Sequence, residues 1–323
     1  MQERGKNVLS HFAETTTQGI NNSDVLQMLT TVKSYWKDNL RPTLISLCCE
    51  AIGGKSIIAD DASLMVTLIS AGMGIHDDII DKSSNKHFRS TLSGLYGFDN
   101  SLVIGDLLIV KAISAIREII KKTNPEKALE IILAYENAFV EMCEGELMEI
   151  SFRKRCDFPI ESYNHMLWKF GADTEVCAKI GAILGNGSDN QIEKLSKYGK
   201  RIGFAYRLLG EVRDCLNIEG NLPERLLNES IPLPILFASK ASKDNCTTIQ
   251  RIFKQATIHE ADIENLLKLC FDSEAFQYIN RIYCENDQEI ENSLTILPAS
   301  EAKNALLQIT KEYKKDFKSI LPS

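Results

Sequence analysis

The sequence predicts an all-α protein, a single-domain antiparallel helical bundle, and three observations lead to this fold class. Apolar residues recur at intervals of three and four along most of the chain, which is the periodicity of amphipathic helices. No segment shows the strict alternation of a half-buried strand. No repeat or low-complexity linker divides the chain, so we expect one domain over residues 1–323.

The predicted helices follow in chain order, each defined by apolar residues three or four positions apart. They cover 25–36, 43–52, 62–75, 102–119, 128–150, 160–184, 192–217, 235–239, 249–255, 258–269, 273–287 and 298–317. Asp60 and Asp61 precede the third segment, where acidic residues favour the positive end of the helix dipole. Pro298 opens the last segment, because proline is tolerated in the first turn. Only eight prolines occur, most of them between segments, as at Pro42 and Pro125.

Composition and charge exclude several classes of protein. The formal net charge of −7 and the pI near 5.4 argue against nucleic acid as a general partner. The N-terminal residues lack the apolar core of a signal peptide, and no apolar run reaches the roughly 18 residues of a membrane-spanning helix. The nearest run, 102–120, is broken by Asp106, Lys111 and Arg117. The nine scattered cysteines show no metal-ligand spacing, so we expect a reducing, cytoplasmic location.

An acidic motif is the most informative feature of the chain. Asp77, Asp78 and Asp81 follow an apolar helical stretch, and positions four apart lie on the same side of a helix. Clustered carboxylates on a partly buried wall repel one another unless a cation neutralises them. Mg²⁺ binds through one or two carboxylates together with substrate phosphates. The motif therefore predicts a magnesium clamp for a diphosphate; the alternative is a solvated acidic helix end.

The order of landmarks along the chain resembles the trans-isoprenyl diphosphate synthase (polyprenyl synthetase) superfamily over nearly the whole length. The landmarks that carry the resemblance are Arg41-Pro42-Thr43-Leu44, Asp77, Asp78 and Asp81, Gly105-Asp106, Gly145-Glu146, Lys169, Ala205-Tyr206-Arg207, Asp214, and Pro232-Leu233-Pro234. Phe170 takes the place of the family's threonine after the lysine. The resemblance implies a bundle of the isoprenoid synthase type around a deep central cavity, usually dimeric, in which magnesium ionises an allylic prenyl diphosphate.

The resemblance also assigns roles to individual residues. Asp77, Asp78 and Asp81 correspond to the family's metal ligands, and Lys169 and Lys86 complete the cage around the diphosphate. Two alternatives stay open: Lys169 as an amphipathic lysine that extends to solvent, and Lys86 as a solvated loop charge. The predicted catalytic residues are therefore the three aspartates and Lys169, with Mg²⁺ as the cofactor.

Departures from the family lie at the site for the acceptor diphosphate. By the resemblance a lysine belongs at Asp38, a histidine at Ser70 and an arginine pair at Lys86-His87. Only Arg41 of that cage is kept, with His87 as a weak substitute. Because an aspartate repels a nearby diphosphate, we expect weak binding of isopentenyl diphosphate.

The second acidic motif is altered as well. The first acid of the family's motif is Gly210 here, whereas Glu211 and Asp214 lie three residues apart on one helix face, enough to bind one metal ion. Arg207 and Arg213 add positive charge that would bind diphosphate directly. The alternative is an ordinary surface cluster of acids and arginines.

The helix before the first motif bears on substrate length. By the resemblance, bulk one turn or more before the acids limits the chain, and Ala71, Gly72, Met73 and Gly74 leave no aromatic floor there. Gly72 and Met73 are therefore predicted to border an apolar tunnel for a substrate of about twenty carbons or more, whose burial favours binding. The alternative for the glycines is close helix packing.

Three functions are compatible with these residues. The first is an enzyme that ionises a long prenyl diphosphate and quenches or transfers the cation as terpene synthases do. The second is an ordinary all-trans polyprenyl diphosphate synthase, and the third is a non-catalytic subunit that binds a paralogous synthase. The eroded acceptor site favours the first. Long helices that are apolar around much of their circumference, 102–120 and 128–150, together with the resemblance predict a two-fold homodimer.

Overall fold

The computed structural model describes residues 2–86 and 88–322, with side chains from residue 7 onward. The described residues form sixteen α-helices and one β-hairpin, so the all-α prediction is confirmed. The helices are α1 (Gln2–Thr17), α2 (Ser23–Tyr35), α3 (Leu40–Ile52), α4 (Asp60–Ile80), α5 (Leu92–Tyr96), α6 (Phe98–Lys122), α7 (Pro125–Phe152), α8 (Ile160–Phe170), α9 (Ala172–Leu184), α10 (Asp189–Cys215), α11 (Leu222–Asn228), α12 (Leu233–Ala241), α13 (Lys243–Phe253), α14 (Glu260–Asp272), α15 (Ala275–Ser293) and α16 (Glu301–Ile320). The hairpin pairs β1 (Asn85–Lys86) antiparallel with β2 (Arg89–Ser90), and a 3₁₀ turn, Ser56–Ala59, precedes α4.

The structure differs from the periodicity at five places. Two of them are the short helices α5 and α11, of five and seven residues, which are too short to show an apolar repeat. Helix α1 is not predicted because, among its described side chains, only a narrow stripe is buried: Val8, Phe12 and Thr16, at intervals of four residues. The hairpin is not predicted because each strand is only two residues long. The segment 160–184 is two helices, because α8 ends at the cap residue Gly171 and α9 begins at Ala172.

The first of two compact units comprises Met1–Asn137, Thr174–Gly199 and Ile296–Leu306. Helix α4 is buried over most of its length, and among the described helices it packs most extensively against α6. Glycines permit this close approach: a Cβ on Gly72 would lie 2.6 Å from the Gly105 oxygen, and a Cβ on Gly105 would lie 2.4 Å from His76 Nε2. The packing therefore fixes α4, whose C-terminal end carries the first acidic motif.

The second unit comprises Ala138–Asp173, Lys200–Thr295 and Leu307–Ser323. Helix α12 is central to it and contacts α8, α13, α14 and α15. Pro232 and Pro234 define the start of α12, because proline needs no hydrogen-bond acceptor in the first helical turn. The prediction of one domain over residues 1–323 stays a prediction beside this division into two units.

One stretch of the described chain is long and apolar enough to cross a membrane. It covers Ser56–Ile80, with a mean hydropathy of 1.4, and 67% of its apolar window is buried inside the protein. The run that the sequence predicts to come nearest, 102–120, is a different one. Because the core helix of a soluble protein has the same length and composition, this stretch is weak evidence for a membrane span.

Candidate active site

The first acidic motif lies at the C-terminal end of α4. Asp77 and Asp78 belong to the last turn of the helix, and Asp81 is its C-cap residue. The side chain of Asp77 is 44% exposed, whereas Asp78 and Asp81 are both buried. Burial, with the neighbouring Asp77 adding to it, raises the pKa of the Asp78 carboxyl, although Lys86 opposes this rise. The motif is therefore a wall with one accessible and two buried acids, where negative charge is costly unless a cation is present.

Lys86 supplies that cation in the structure. The hairpin places its Nζ 2.9 Å from Asp77 Oδ2 and 3.2 Å from Asp78 Oδ1, with the lysine side chain 32% exposed. Burial alone would lower the pKa of the ammonium, but Asp77, Asp78 and Asp81 together raise it well above its ordinary value. Lys86 is thus held at the acids by charge and is not a solvated loop lysine.

The fit of a magnesium ion to this motif follows from the same geometry. Among the described residues, no group of three or more histidine, cysteine, aspartate or glutamate side chains is arranged so that it could hold a metal ion by itself. Asp77 and Asp78 nevertheless converge on one cation, and the charge of Asp81 acts on it too. Mg²⁺ commonly binds through one or two carboxylates and takes its other ligands from substrate phosphates and water. The donor set therefore fits a metal ion that is bound together with a diphosphate.

A second cationic side chain beside the motif was missed by the sequence analysis. Arg89 pairs with Lys86 across the hairpin, and its guanidinium lies 3.8 Å from the centre of the Tyr35 ring. The positive charge of Arg89, like that of Lys86, partly opposes the rise that burial causes in the pKa of Asp78. Burial raises the pKa of Tyr35 to about 12, and its hydroxyl has no hydrogen-bond partner among the described residues. The only sequence signal for Arg89 is its position three residues after Lys86, within reach of a tight hairpin.

The predicted acceptor residues are arranged differently from the family's basic cage. Asp38 Oδ2 accepts a hydrogen bond of 2.9 Å from Arg41 Nη1, and Asp38 Oδ1 accepts one of 3.0 Å from Leu40 N. The side chains of Arg41 and Asp38 are 26% and 14% exposed. Ser70 is buried in α4. His87 lies outside the described residues, so its predicted contact with diphosphate stays a prediction.

The predicted cage lysine on α8 is paired with an acid. Lys169 Nζ lies 2.6 Å from Glu144 Oε2, and the lysine side chain is 16% exposed against 57% for the glutamate. Gly145 permits the close packing of α7 on α8, because a Cβ there would lie 3.3 Å from the Cβ of Lys169. The guanidinium of Arg207 stacks 4.4 Å from the Phe170 ring. A partly buried ammonium with one exposed acidic partner is chemically able to exchange that partner for a diphosphate oxygen.

Both acids of the second acidic motif are bonded to protein groups. Glu211 Oε2 accepts hydrogen bonds from the Tyr163 hydroxyl at 2.9 Å and from Leu233 N at 2.6 Å. Its Oε1 accepts one of 2.7 Å from Arg225 Nη2, and Arg225 Nη1 bonds to Asp214 Oδ2. The side chains of Glu211 and Arg225 are only 6% and 7% exposed. The predicted metal ligands of this motif therefore do not fit a metal ion in this arrangement, because a guanidinium occupies the position between them.

Arg225 is the residue of this cluster that sequence analysis missed. Burial would lower the pKa of its guanidinium, but Glu211 and Asp214 raise it well above its ordinary value, so the group stays charged. Nothing near Arg225 in the sequence marks it as a partner of acids 11 and 14 residues earlier. Arg213, predicted to contact diphosphate, lies half-buried in the last turn of α10.

Gly72 and Met73, both predicted to border a substrate tunnel, have different surroundings in the structure. A Cβ on Gly72 would lie 2.6 Å from the backbone oxygen of Gly105 and 2.7 Å from Ile109 Cγ1. Gly72 therefore faces α6, which supports the helix-packing alternative and not a tunnel wall. Met73 is half-buried and lies four residues before Asp77, on the same side of the helix as that acid.

The chain belongs to the polyprenyl synthetase family, which it matches over residues 24–270. Members of this family are prenyltransferases that act on prenyl diphosphates, and the chain is an enzyme of this class. It is 26% identical over 279 residues to the short chain isoprenyl diphosphate synthase of Methanothermobacter thermautotrophicus, covering 84% of this chain and 83% of that protein.

Solved structures share the fold over nearly the whole chain. The heptaprenyl diphosphate synthase of Staphylococcus aureus superimposes with a TM-score of 0.85 at 20% identity, over 97% of this chain and 98% of the other. The polyprenyl synthase of Caulobacter crescentus CB15, complexed with calcium and isoprenyl diphosphate, gives a TM-score of 0.78 at 18% identity, over 97% and 94%. These likenesses confirm the isoprenoid synthase fold.

Proposed function

We propose that this protein is a Mg²⁺-dependent, chain-elongating prenyltransferase that joins an allylic prenyl diphosphate to isopentenyl diphosphate. The observation that carries the proposal is the convergence of Asp77 and Asp78 on one cation at the end of α4, with Lys86 and Arg89 beside them. The family supports elongation, since its members named above are isoprenyl or polyprenyl synthases. The terpene-synthase-like function favoured by the sequence analysis has no such support from relatives.

Each described residue of the site has a chemical task in this proposal. Magnesium, when bound, supplies Lewis-acid neutralisation of the diphosphate leaving group. Asp77, Asp78 and Asp81 hold the positive charge in place on a rigid helix end, so that little reorganisation is needed as the leaving group departs. Lys86 donates hydrogen bonds from its ammonium, and once released from the acids it is positioned to bind a diphosphate oxygen. Lys169 on α8, an ammonium with an exposed acidic partner, stays a predicted diphosphate contact.

A second candidate function rests on one specific observation. Asp38 neutralises Arg41, the one arginine of the acceptor cage that is kept, through a 2.9 Å ion pair. With acceptor binding weakened in this way, an enzyme would release diphosphate and deliver the prenyl cation to water or another acceptor. This is the sequence-based hypothesis, and the ion pair at Asp38 is what favours it.

One experiment separates these candidates. The protein is incubated with Mg²⁺ and allylic diphosphates of ten to twenty-five carbons, with and without isopentenyl diphosphate, and every product is identified. Elongated prenyl diphosphates that form only with isopentenyl diphosphate support the first proposal. Alcohols, hydrocarbons or other prenylated acceptors formed without it support the second. Activity that appears only beside another synthase supports a partner-subunit role.

We also propose that the protein is a two-fold homodimer. Helices α6 and α7 expose large apolar side chains that a monomer would leave in water: Leu102, Val103, Val110, Ile113, Ile120, Leu129, Leu133, Val140, Leu147 and Ile150. A second copy of the same chain, packed against these helices, would remove such side chains from water.

We propose further that Met73 limits the length of the product. It lies one turn before Asp77 on the same side of α4, whereas Gly72 faces α6. No aromatic side chain occupies positions 71–74, which is compatible with a long apolar substrate. Met73→Phe should then shorten the longest product, and Met73→Ala should lengthen it.

A further inference from the structure

We propose that the second acidic motif of this chain binds no metal ion, because Arg225 permanently supplies its positive charge, and that metal binding is confined to the first motif. The inference rests on the proposed function, in which the first motif is the metal clamp. It concerns the second of two acidic motifs that are both predicted from the sequence to bind metal, although in the second Gly210 replaces the first acid.

The hydrogen-bonding capacity of Glu211 is largely used. A carboxylate has about four lone-pair sites. Three of them accept hydrogen bonds from Tyr163, Leu233 N and Arg225. With its side chain 6% exposed, Glu211 has little access to a solvated ion. Metal coordination through Glu211 would therefore require the loss of buried hydrogen bonds that link α8, α10, α11 and the start of α12.

The side chain of Arg225 donates hydrogen bonds to other groups besides the two acids. Its Nε donates to the Ser230 carbonyl at 3.2 Å, and its Nη2 donates to the Tyr163 hydroxyl at 3.1 Å as well as to Glu211. The Ser230 hydroxyl in turn donates to Glu149 at 2.7 Å. A planar guanidinium with donors fixed on several sides has few rotamers that keep these bonds, and it repels any second cation brought to the same carboxylates.

The first motif holds its internal cation in a different way. Lys86 Nζ is a single donor group on a two-residue strand, and its side chain is 32% exposed. Asp77, its partner, is 44% exposed. An ammonium on a flexible four-carbon stem exchanges for a metal ion without disturbing the core, whereas the guanidinium of Arg225 does not. The two motifs therefore have opposite properties: one cation is exchangeable and the other is structural.

The absence of a third acid from the second motif also supports the proposal that this motif binds no metal ion. Gly210 stands where the family's motif begins, and the position where its Cβ would lie has no atom within 4 Å. Sterics in the described structure therefore do not account for the loss of a carboxylate there. With Arg225 in place, a third acid would have no cation to bind, so its absence fits a motif that no longer binds metal.

The test is a count of bound Mn²⁺ ions by electron paramagnetic resonance, with Mn²⁺ as the only added ligand. Asp214→Asn is compared with Asp77→Asn and with the unmodified protein. Asparagine keeps the size of the Asp214 side chain, which is 28% exposed, and circular dichroism checks that both variants fold. We expect Asp214→Asn to keep the number of bound ions and to change their affinity by less than about twofold. We expect Asp77→Asn to weaken binding by at least about tenfold.

A double variant tests whether removing Arg225 restores metal binding to the second motif. On the Asp77→Asn background, Arg225→Gln frees both acids of the second motif, and Mn²⁺ binding should reappear if that variant folds. Loss of an ion, or a tenfold weakening, in Asp214→Asn overturns the inference whatever Arg225→Gln does. If neither aspartate variant affects binding, the clamp at the first motif is wrong and the proposed function falls with it.

Discussion

The ammonium of Lys86 lies 2.9 Å from Asp77 Oδ2, so the acids that are proposed to bind magnesium already hold a cation of the protein's own. This contact makes metal binding an exchange reaction: the metal ion must displace Lys86 from Asp77 and Asp78. The displaced lysine is then available for the diphosphate that accompanies the metal. The pairing thus explains how a partly buried acidic wall is stable without metal and still able to bind it.

Removing the competing cation should tighten metal binding. In Lys86→Met the metal ion no longer competes with an ammonium for Asp77 and Asp78. An ammonium and a carboxylate about 4 Å apart or less attract each other by more than about 1.4 kcal/mol at a protein surface, so the affinity for the metal ion should rise about tenfold. The measurement is Mn²⁺ titration, with the exposed Lys121→Met as the matched control. Weaker binding in Lys86→Met would show that the lysine helps to hold the metal.

Removing the charge of Asp38 should improve binding of isopentenyl diphosphate. Asp38→Asn keeps an oxygen for the hydrogen bond from Leu40 N but abolishes the ion pair with Arg41. A charge-assisted bond to a diphosphate is worth about 1.5–3 kcal/mol, so KM for isopentenyl diphosphate should fall at least about tenfold while kcat changes little. Steady-state kinetics check this, with Asp24→Asn on the exposed start of α2 as the control. An unchanged KM would mean that Arg41 does not contact the acceptor.

Substitutions of two glycines should have opposite effects, because Gly72 lies in the close packing of α4 on α6 whereas Gly210 on α10 has open space around it. Gly72→Ala places a methyl group 2.6 Å from the Gly105 oxygen and should lower the free energy of unfolding by about 1–3 kcal/mol. Gly210→Ala meets nothing within 4 Å and should raise it by about 0.5–1 kcal/mol, because alanine is the better helix former. Urea denaturation measures both. A neutral Gly72→Ala would reopen the alternative that Gly72 borders a tunnel.

The exposed apolar surface of α6 predicts that charge will dissociate the dimer. Val103 and Val110 are 64% and 58% exposed, so replacing both with glutamate should not disturb the core but should favour the monomer. Sedimentation at micromolar concentration should show a dimer for the unmodified protein and a monomer for the double variant. Ile218→Glu, at a similarly exposed apolar residue outside α6 and α7, is the control. A stable monomer in the unmodified protein would contradict the homodimer proposal.

The sequence predicts most of the long helices, and the position of the first acidic motif at a helix end, because both depend on local spacing. The periodicity of α4 and the i, i+4 relation of Asp77 and Asp81 are visible in one dimension, and the structure has them at the end of that helix. Motif order likewise predicts the family, which the comparisons confirm. These features need no knowledge of which helices pack together.

Residues that act through tertiary contacts could not be predicted in this way. Arg225 is separated from Glu211 by 14 residues and a change of helix, and no local pattern links a guanidinium to that acid. Arg89 reaches the motif only because a hairpin too short for a periodicity forms there. Gly72 resembles a cavity residue in sequence, and only the position of Gly105 on α6 identifies it as a packing residue.

The most direct test of the account is the effect of Asp77→Asn on Mg²⁺-dependent diphosphate release from an allylic diphosphate. The substitution keeps the size of a half-exposed side chain and removes its charge, so the fold should be retained while the rate falls by about 10²–10³-fold or more. Asp99→Asn, an exposed acid in the first turn of α6, should keep a near-normal rate. Near-normal release by Asp77→Asn, with circular dichroism unchanged, would contradict the assignment of the first acidic motif as the catalytic clamp.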